Sequence, residues 1–305
     1  MRKYIRILRI DHWIKQLFIF PGILCAIILT KSSVDIIKII LAFFATCLIA
    51  SANYTINEYL DAEFDKFHPT KKYRSIVENN ISGKVVFLIW IVLTAIGMFI
   101  GYAINITLLA SIIFLWLMGI LYNVKPIRTK DIVFLDVLSE SINNAIRFLI
   151  GWFTVSRETI PPSSVILGYW MGGAFLMATK RYAEYKMIGN KELAGKYRKS
   201  FRHYTEQSLL ISSFFYAMCS VFFIGVFLIK YKVELLILIP FIIGLFCYYF
   251  YISFKEDSAV QKPEKLYSEK GLMLYIIILI ILFCILMYVD IPILNMFYTI
   301  EILNI

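Results

Sequence analysis

Charge is scarce in this 305-residue chain. Asp, Glu, Lys and Arg make up 17% of it against 60% hydrophobic residues, which excludes a solvated globular surface and intrinsic disorder. Cysteine offers little chemistry: each of the five lies inside an apolar run, with no CxxC pair and no adjacent histidine. Neither a disulfide scaffold nor a zinc site is in view, and the cysteines read as small packing residues. There is no zinc-finger spacing and no basic helix outside the apolar runs, so the net charge of +10 does not point to nucleic acid. Alternating ten-residue strands are missing, which excludes a β-barrel. No small-x-small cleavage site precedes Lys31. The basic start (Arg2, Lys3, Arg6, Arg9) and the apolar stretch from Leu17 to Leu29 therefore read as an uncleaved first membrane helix rather than a signal peptide.

What is present is long apolar runs, with a mean hydropathy of +0.75. A helix needs about 20 apolar residues to cross hydrocarbon, and nine segments qualify, near 16–34, 36–56, 84–102, 105–122, 132–155, 163–180, 208–229, 233–254 and 272–290. Lipid forces each span to satisfy its own backbone. The expected fold is an all-α polytopic membrane protein, one integral-membrane domain over residues 1–305. Nine spans place 25 of the 31 Lys and Arg residues on one side and five on the other, with Arg147 inside a span. By the positive-inside rule the heavy side is cytoplasmic, including the N-terminus, in a plasma membrane protein whose partners include the lipid bilayer. Sixteen of the 21 acidic residues lie on the same side, which places the working surface there.

The most informative stretch is Asn57-Glu58-Tyr-Leu-Asp61-Ala-Glu63-Phe-Asp65, at the end of the second span. At about 100° per residue, Asn57, Asp61 and Asp65 share one helix face, with Glu58 at its edge and Glu63 pointing away. Carboxylates stacked one turn apart repel, and magnesium, which takes oxygen ligands and is shared between one or two carboxylates and substrate phosphates, would relieve that. Neutralisation by nearby lysines and arginines is the plainer reading. The following turn, His68-Pro-Thr-Lys71-Lys72-Tyr-Arg74, is cationic, and the pair suits a diphosphate; taken alone it would be a topological anchor.

A second constellation runs from Tyr122, Lys125, Arg128, Lys130 and Asp131 into the fifth span, where Asp136, Glu140, Asn143, Asn144 and Arg147 form one polar stripe. Ionisable groups at membrane depth normally face a cavity or a partner; a Glu140–Arg147 salt bridge is the structural alternative. A third cluster, Lys180, Arg181, Glu184, Arg198, Arg202, His203 and Tyr204, is either an anchor or part of the same site.

Asn57-x3-Asp61-x3-Asp65 at span two, Asp136-x3-Glu140 at span five and nine helices resemble the UbiA superfamily of intramembrane transferases. The resemblance covers essentially the whole chain. It implies helices around a central cavity opening toward lipid, with a cytoplasmic cap over two magnesium-linked acidic motifs that hold a diphosphate. Within the superfamily, His68-Pro69-Thr70-Lys71-Lys72-x-Arg74 resembles the decaprenyl-phosphate phosphoribosyltransferase branch. So do Trp13-x-Lys15, Asp136 and Arg147 with Gly151 following, and Lys180-Arg181-x2-Glu184 with Arg198 and Tyr204. Glu58 in place of Asp, Ser75 in place of Pro, and the polar Glu140, Asn143 and Asn144 depart from that branch.

The resemblance implies transfer of 5-phosphoribose from phosphoribosyl pyrophosphate to a polyprenyl phosphate. Metal is expected on Asn57, Asp61, Asp65 and Asp136, with Lys71, Lys72 and Arg74 sharing the pyrophosphate charge. Glu58 or Glu140 would stabilise an oxocarbenium-like centre. Substrate would be bound by Lys15, Tyr122, Lys125, Arg128, Asn143, Asn144, Arg147, Lys180, Arg181, Glu184, Arg198 and Tyr204. The alternatives are a polyprenyl transferase acting on an aromatic acceptor and a non-catalytic transporter. The sequence leaves the oligomeric state open.

Overall fold

The computed structural model describes residues 2–66, 76–77, 81–255, 258–261 and 263–297, and every described element is helical. In chain order the α-helices are α1 (Arg2–Ile7), α2 (Phe20–Thr30), α3 (Ile36–Asp65), α4 (Gly83–Ile104), α5 (Ile106–Asn123) and α6 (Leu135–Val155). Then come α7 (Ser163–Ile188), α8 (Lys191–Tyr197), α9 (Glu206–Tyr231), α10 (Leu238–Ser253) and α11 (Lys270–Tyr288). A 3-10 segment, Ile10–Ile19, leads directly into α2.

Among the described residues, seven helical segments are long and apolar enough to cross a membrane: Ile10–Thr30, Ile36–Glu63, Gly83–Ile104, Ile106–Asn123, Glu206–Tyr231, Val233–Ser253 and Lys270–Tyr288. The two other long helices, α6 and α7, carry buried charge: Asp136 and Arg147 on α6, Arg181 and Glu184 on α7. They pack against each other, with α2 and α5 on α6 and α9 on α7, while α3 packs along α4. Polar helices thus take the interior and apolar ones the periphery, where lipid is the solvent; α11 leaves Leu274, Ile278 and Ile281 at least half exposed.

Several boundaries differ from the expected spans. The first begins at Ile10 rather than 16, because Pro21 falls at the start of α2, where its missing N–H leaves no bond unmade. α3 runs to Asp65 and α7 to Ile188, well past the apolar residues, since their polar ends face the bundle rather than water. Local signals set the other ends. Asn105 accepts from Leu108 N–H at 2.7 Å to start α5, Thr205 and Ser208 form a capping box on α9, and Gly189 closes α7 at φ 64°.

The contact of α2 with α6 is backbone on backbone. A Cβ on Gly22 would stand 2.0 Å from the Phe148 carbonyl oxygen, and one on Gly151 2.0 Å from that of Ile19, the small-residue packing that membrane helices use in place of a hydrophobic drive. Gly151→Ala is expected to cost about 1–3 kcal/mol or more, read as a lower melting temperature in detergent. Gly225→Ala, whose Cβ would meet only Ile239 at 3.9 Å, is expected to leave it unchanged.

Candidate active site

A cavity of about 1220 Å³ runs through the bundle. Its polar end is built where α3 and α5 finish, α6 begins and α7 finishes, with the 123–131 connection and Tyr197–Lys199 closing over it. Its apolar end is walled by Leu115, Ile224, Leu245, Phe246 and Ile276.

Asn57, Asp61 and Asp65 all line the polar end, one turn apart as the helix period requires. Asp61 is its electrostatic centre. It accepts from Lys130 Nζ at 2.6 Å, Arg128 Nη2 at 2.8 Å and Asn57 Nδ2 at 3.2 Å. Asn123, at the end of α5, accepts from Lys130 Nζ at 2.8 Å and contacts the Asn57 amide. Arg128 sits at φ 34°, ψ 63°, a left-handed conformation costly for a residue with a side chain, and is held there by Asp61 and by Asp131 at 3.2 Å. Burial pushes the Lys130 ammonium down to about 8, against the pull of Asp61. Glu58 is buried and accepts from Ile76 N–H at 3.5 Å, tying α3 to the chain that follows. Lys71, Lys72 and Arg74 lie outside the described residues.

The second acidic motif is organised by Arg181, whose side chain is 1% exposed. Its guanidinium contacts Glu140, ion-pairs with Asp136 and Glu184 at 3.4 Å each, and donates to Tyr122 Oη at 3.2 Å. Tyr122 in turn donates to Glu140 at 2.9 Å and accepts from Arg198 at 3.3 Å. Glu140 therefore pairs with Arg181 and not with Arg147. Asp136 stands behind the wall, fully buried, accepting from Tyr204 at 2.7 Å and Ser200 at 3.1 Å.

Further along α6, Arg147 donates to Gln16 at 2.7 Å and Asn144 at 3.0 Å. Of the residues expected from sequence, Lys15, Asn57, Asp61, Asp65, Tyr122, Arg128, Glu140, Asn143, Asn144, Arg147, Lys180, Arg181, Glu184 and Arg198 share this one cavity. Glu58, Lys125, Asp136 and Tyr204 are not in its wall; Lys125 is exposed. Sequence reasoning gave Lys130, part of the second constellation, no role of its own and missed Asn123, Gln16 and His12. Gln16, a single amide within an apolar run, carried a signal; Asn123 adjoined residues already singled out.

The donors at Asn57, Asp61 and Asp65 are all oxygens, the set a hard divalent cation takes. Among the described residues no group of three or more His, Cys, Asp and Glu is arranged to hold a metal unaided.

Residues 18–277 match the model of the UbiA prenyltransferase family. Among curated proteins, the chain is 27% identical over 211 residues to a decaprenyl-phosphate phosphoribosyltransferase of Mycolicibacterium smegmatis, covering 67% of this chain and 63% of that one. It is 27% identical over 177 residues to a protoheme IX farnesyltransferase of Alkalihalophilus pseudofirmus, covering 56% of each. The match thus spans less than two thirds of these relatives' own length. Among solved structures, a UbiA homolog from Archaeoglobus fulgidus bound to GPP and Mg2+ superposes with a TM-score of 0.69 at 18% identity, over 91% of this chain and 99% of that one. The same homolog has been solved bound to Cd2+. With the family model matching most of its length and the fold shared, the chain belongs to the UbiA prenyltransferase family, a family of membrane transferases.

Proposed function

We propose that the protein is a magnesium-dependent transferase that moves 5-phosphoribose from phosphoribosyl pyrophosphate to a polyprenyl phosphate, releasing pyrophosphate. The observation that carries this reading is the charge of the cavity wall, where, among the described residues, nine lysines and arginines stand against five carboxylates. A prenyl diphosphate shared with a metal calls for a few cations. A phosphoribosyl donor brings a diphosphate and a 5-phosphate, and its acceptor a further phosphate, which uses cations spread across three places.

Asn57, Asp61 and Asp65 would hold the magnesium, which supplies charge neutralisation to the departing pyrophosphate. Arg128 and Lys130 lie beside them to share that charge, with Lys71, Lys72 and Arg74 proposed to join from the following turn. Glu140, held by Tyr122 and Arg181, faces the cavity where positive charge develops at the anomeric carbon. Asp136 and Tyr204 serve by fixing the Arg181 and Arg198 side chains, and Glu58 by bracing α3. Lys125, on the exposed rim, would help draw the anionic donor in. Asn143, Asn144, Arg147, Lys180 and Glu184 fall to the acceptor side. The polar end faces the cytoplasm of a plasma membrane on the charge asymmetry of the loops.

Purified protein given labelled phosphoribosyl pyrophosphate, magnesium and a polyprenyl phosphate is expected to move label into the organic phase, and chelation to stop it. If no label moves while a prenyl diphosphate reacts with an aromatic acceptor, the donor assignment is wrong and the family activity stands. Silence with both donors revives a non-catalytic role.

A further inference from the structure

The Ile10–Ile19 segment is a 3-10 helix ten residues long, a winding that rarely persists beyond three or four. Three residues per turn stack every third side chain in line. The segment therefore presents three straight ridges, where an α-helix would carry the same positions around most of its circumference. One ridge faces the bundle, with Gln16 and Ile19 fully buried and Gly22 following. A second, Ile14, Leu17 and Phe20, is apolar and 44–47% exposed; Ile14 and Leu17 border the cavity mouth, and Phe20 lies outside it.

The third ridge, His12, Lys15 and Phe18, is flanked by Arg9 before the segment and Pro21 at the start of α2, and all five line the cavity. Its first half is cationic and its second apolar. Lys15 Nζ lies 2.7 Å from His12 Nδ1, Arg9 contacts Nε2, and Asp11 approaches Nε2 to 3.4 Å with its own carboxylate 65% exposed. Arg9 adopts φ 49°, ψ 51°, a left-handed residue that turns the chain from α1 into the 3-10 winding. The cavity lining also includes the apolar Leu272 and Ile276 of α11.

We infer that this ridge is the seat of the lipid substrate: a polyprenyl monophosphate places its phosphate against Arg9, His12 and Lys15 and runs its first isoprene units along Phe18 and Pro21. The inference rests on the reading that the acceptor is a polyprenyl phosphate, and adds where that lipid lies and which way it points. The 3-10 winding matters because it keeps head-binding and tail-binding groups on one line. The apolar half of the ridge selects an isoprenoid chain, and the cationic half a phosphate.

The test is equilibrium binding of a fluorescent polyprenyl monophosphate to the purified full-length protein in detergent, with no donor present. Lys15→Ala and His12→Ala are expected to weaken binding roughly ten- to a hundredfold. Phe18→Leu should weaken it for one-isoprene and long-chain phosphates alike, because the first unit is the one it touches, and Phe20→Ala, outside the cavity lining, should leave it unchanged. Size exclusion and melting confirm that each variant is folded. Unchanged binding in folded Lys15→Ala, or in folded Phe18→Leu at either chain length, overturns the assignment. Displacement of the probe by equimolar phosphatidylglycerol, or by millimolar inorganic phosphate, would show a general anion site and overturn it also. If the wild type binds the lipid in this pattern yet moves no phosphoribose, the seat stands and the proposed donor falls.

Discussion

Asp61→Asn is expected to reduce turnover by about a thousandfold or more while the protein remains folded, measured by label transfer beside a melting curve. The substitution keeps the shape of the side chain and removes the charge on which Arg128, Lys130 and Asn57 converge. Two consequences then act together. The oxygen donors on α3 lose the carboxylate that stands between Asn57 and Asp65, and two mutually repelling cations lose the negative charge that holds them together. Arg128 keeps Asp131 at 3.2 Å, so the fold loses one of its tethers and not all of them. Turnover within a few fold of wild type in a folded Asp61→Asn protein would remove this carboxylate from the chemistry.

Arg181→Met is expected to destabilise the protein by about 3–5 kcal/mol, the largest structural effect of any single substitution in the site. Methionine approximates the length of the side chain and leaves Asp136, Glu140 and Glu184, which now share one guanidinium, with Lys180 and Arg198 as cations nearby. Arg198 lies 3.9 Å from Asp136, too loosely placed to neutralise all three. Burying a charge without its partner costs more than the pair contributes. Adding Glu140→Gln to Arg181→Met is accordingly expected to recover part of the loss, as a coupled double-mutant cycle in thermal unfolding would report. Additive losses would mean that the two side chains do not depend on each other.

Much of the fold was legible because lipid leaves the backbone few choices: long apolar runs had to be helices, and polar stripes within them had to face inward. The acidic face of α3 was readable from its four-residue spacing, and the whole stripe on α6 does line one cavity except Asp136. What the sequence hid was the identity of partners. A stripe suggests neighbours on its own helix, hence the Glu140–Arg147 pair as the structural alternative, whereas the partner of Glu140 comes from α7, 41 residues away. Likewise Arg147 finds Gln16, 131 residues distant. Helix ends were misjudged for a related reason: hydropathy marks where residues stop tolerating lipid, and α3 and α7 continue as helix into a polar interior that needs no such tolerance.

The glycine crossing of α2 and α6 sets more than packing. Gly151 lies one helical turn beyond Arg147, and Gly22, in the first turn of α2, six residues beyond Gln16, so the backbone contact acts as a caliper between a guanidinium and the amide that orients it. Because the jaws of that caliper are main-chain atoms, the outward side chains of α2 can change in size or shape to suit different lipids without altering the gap. The position of the charge is thereby uncoupled from the surface that meets the membrane.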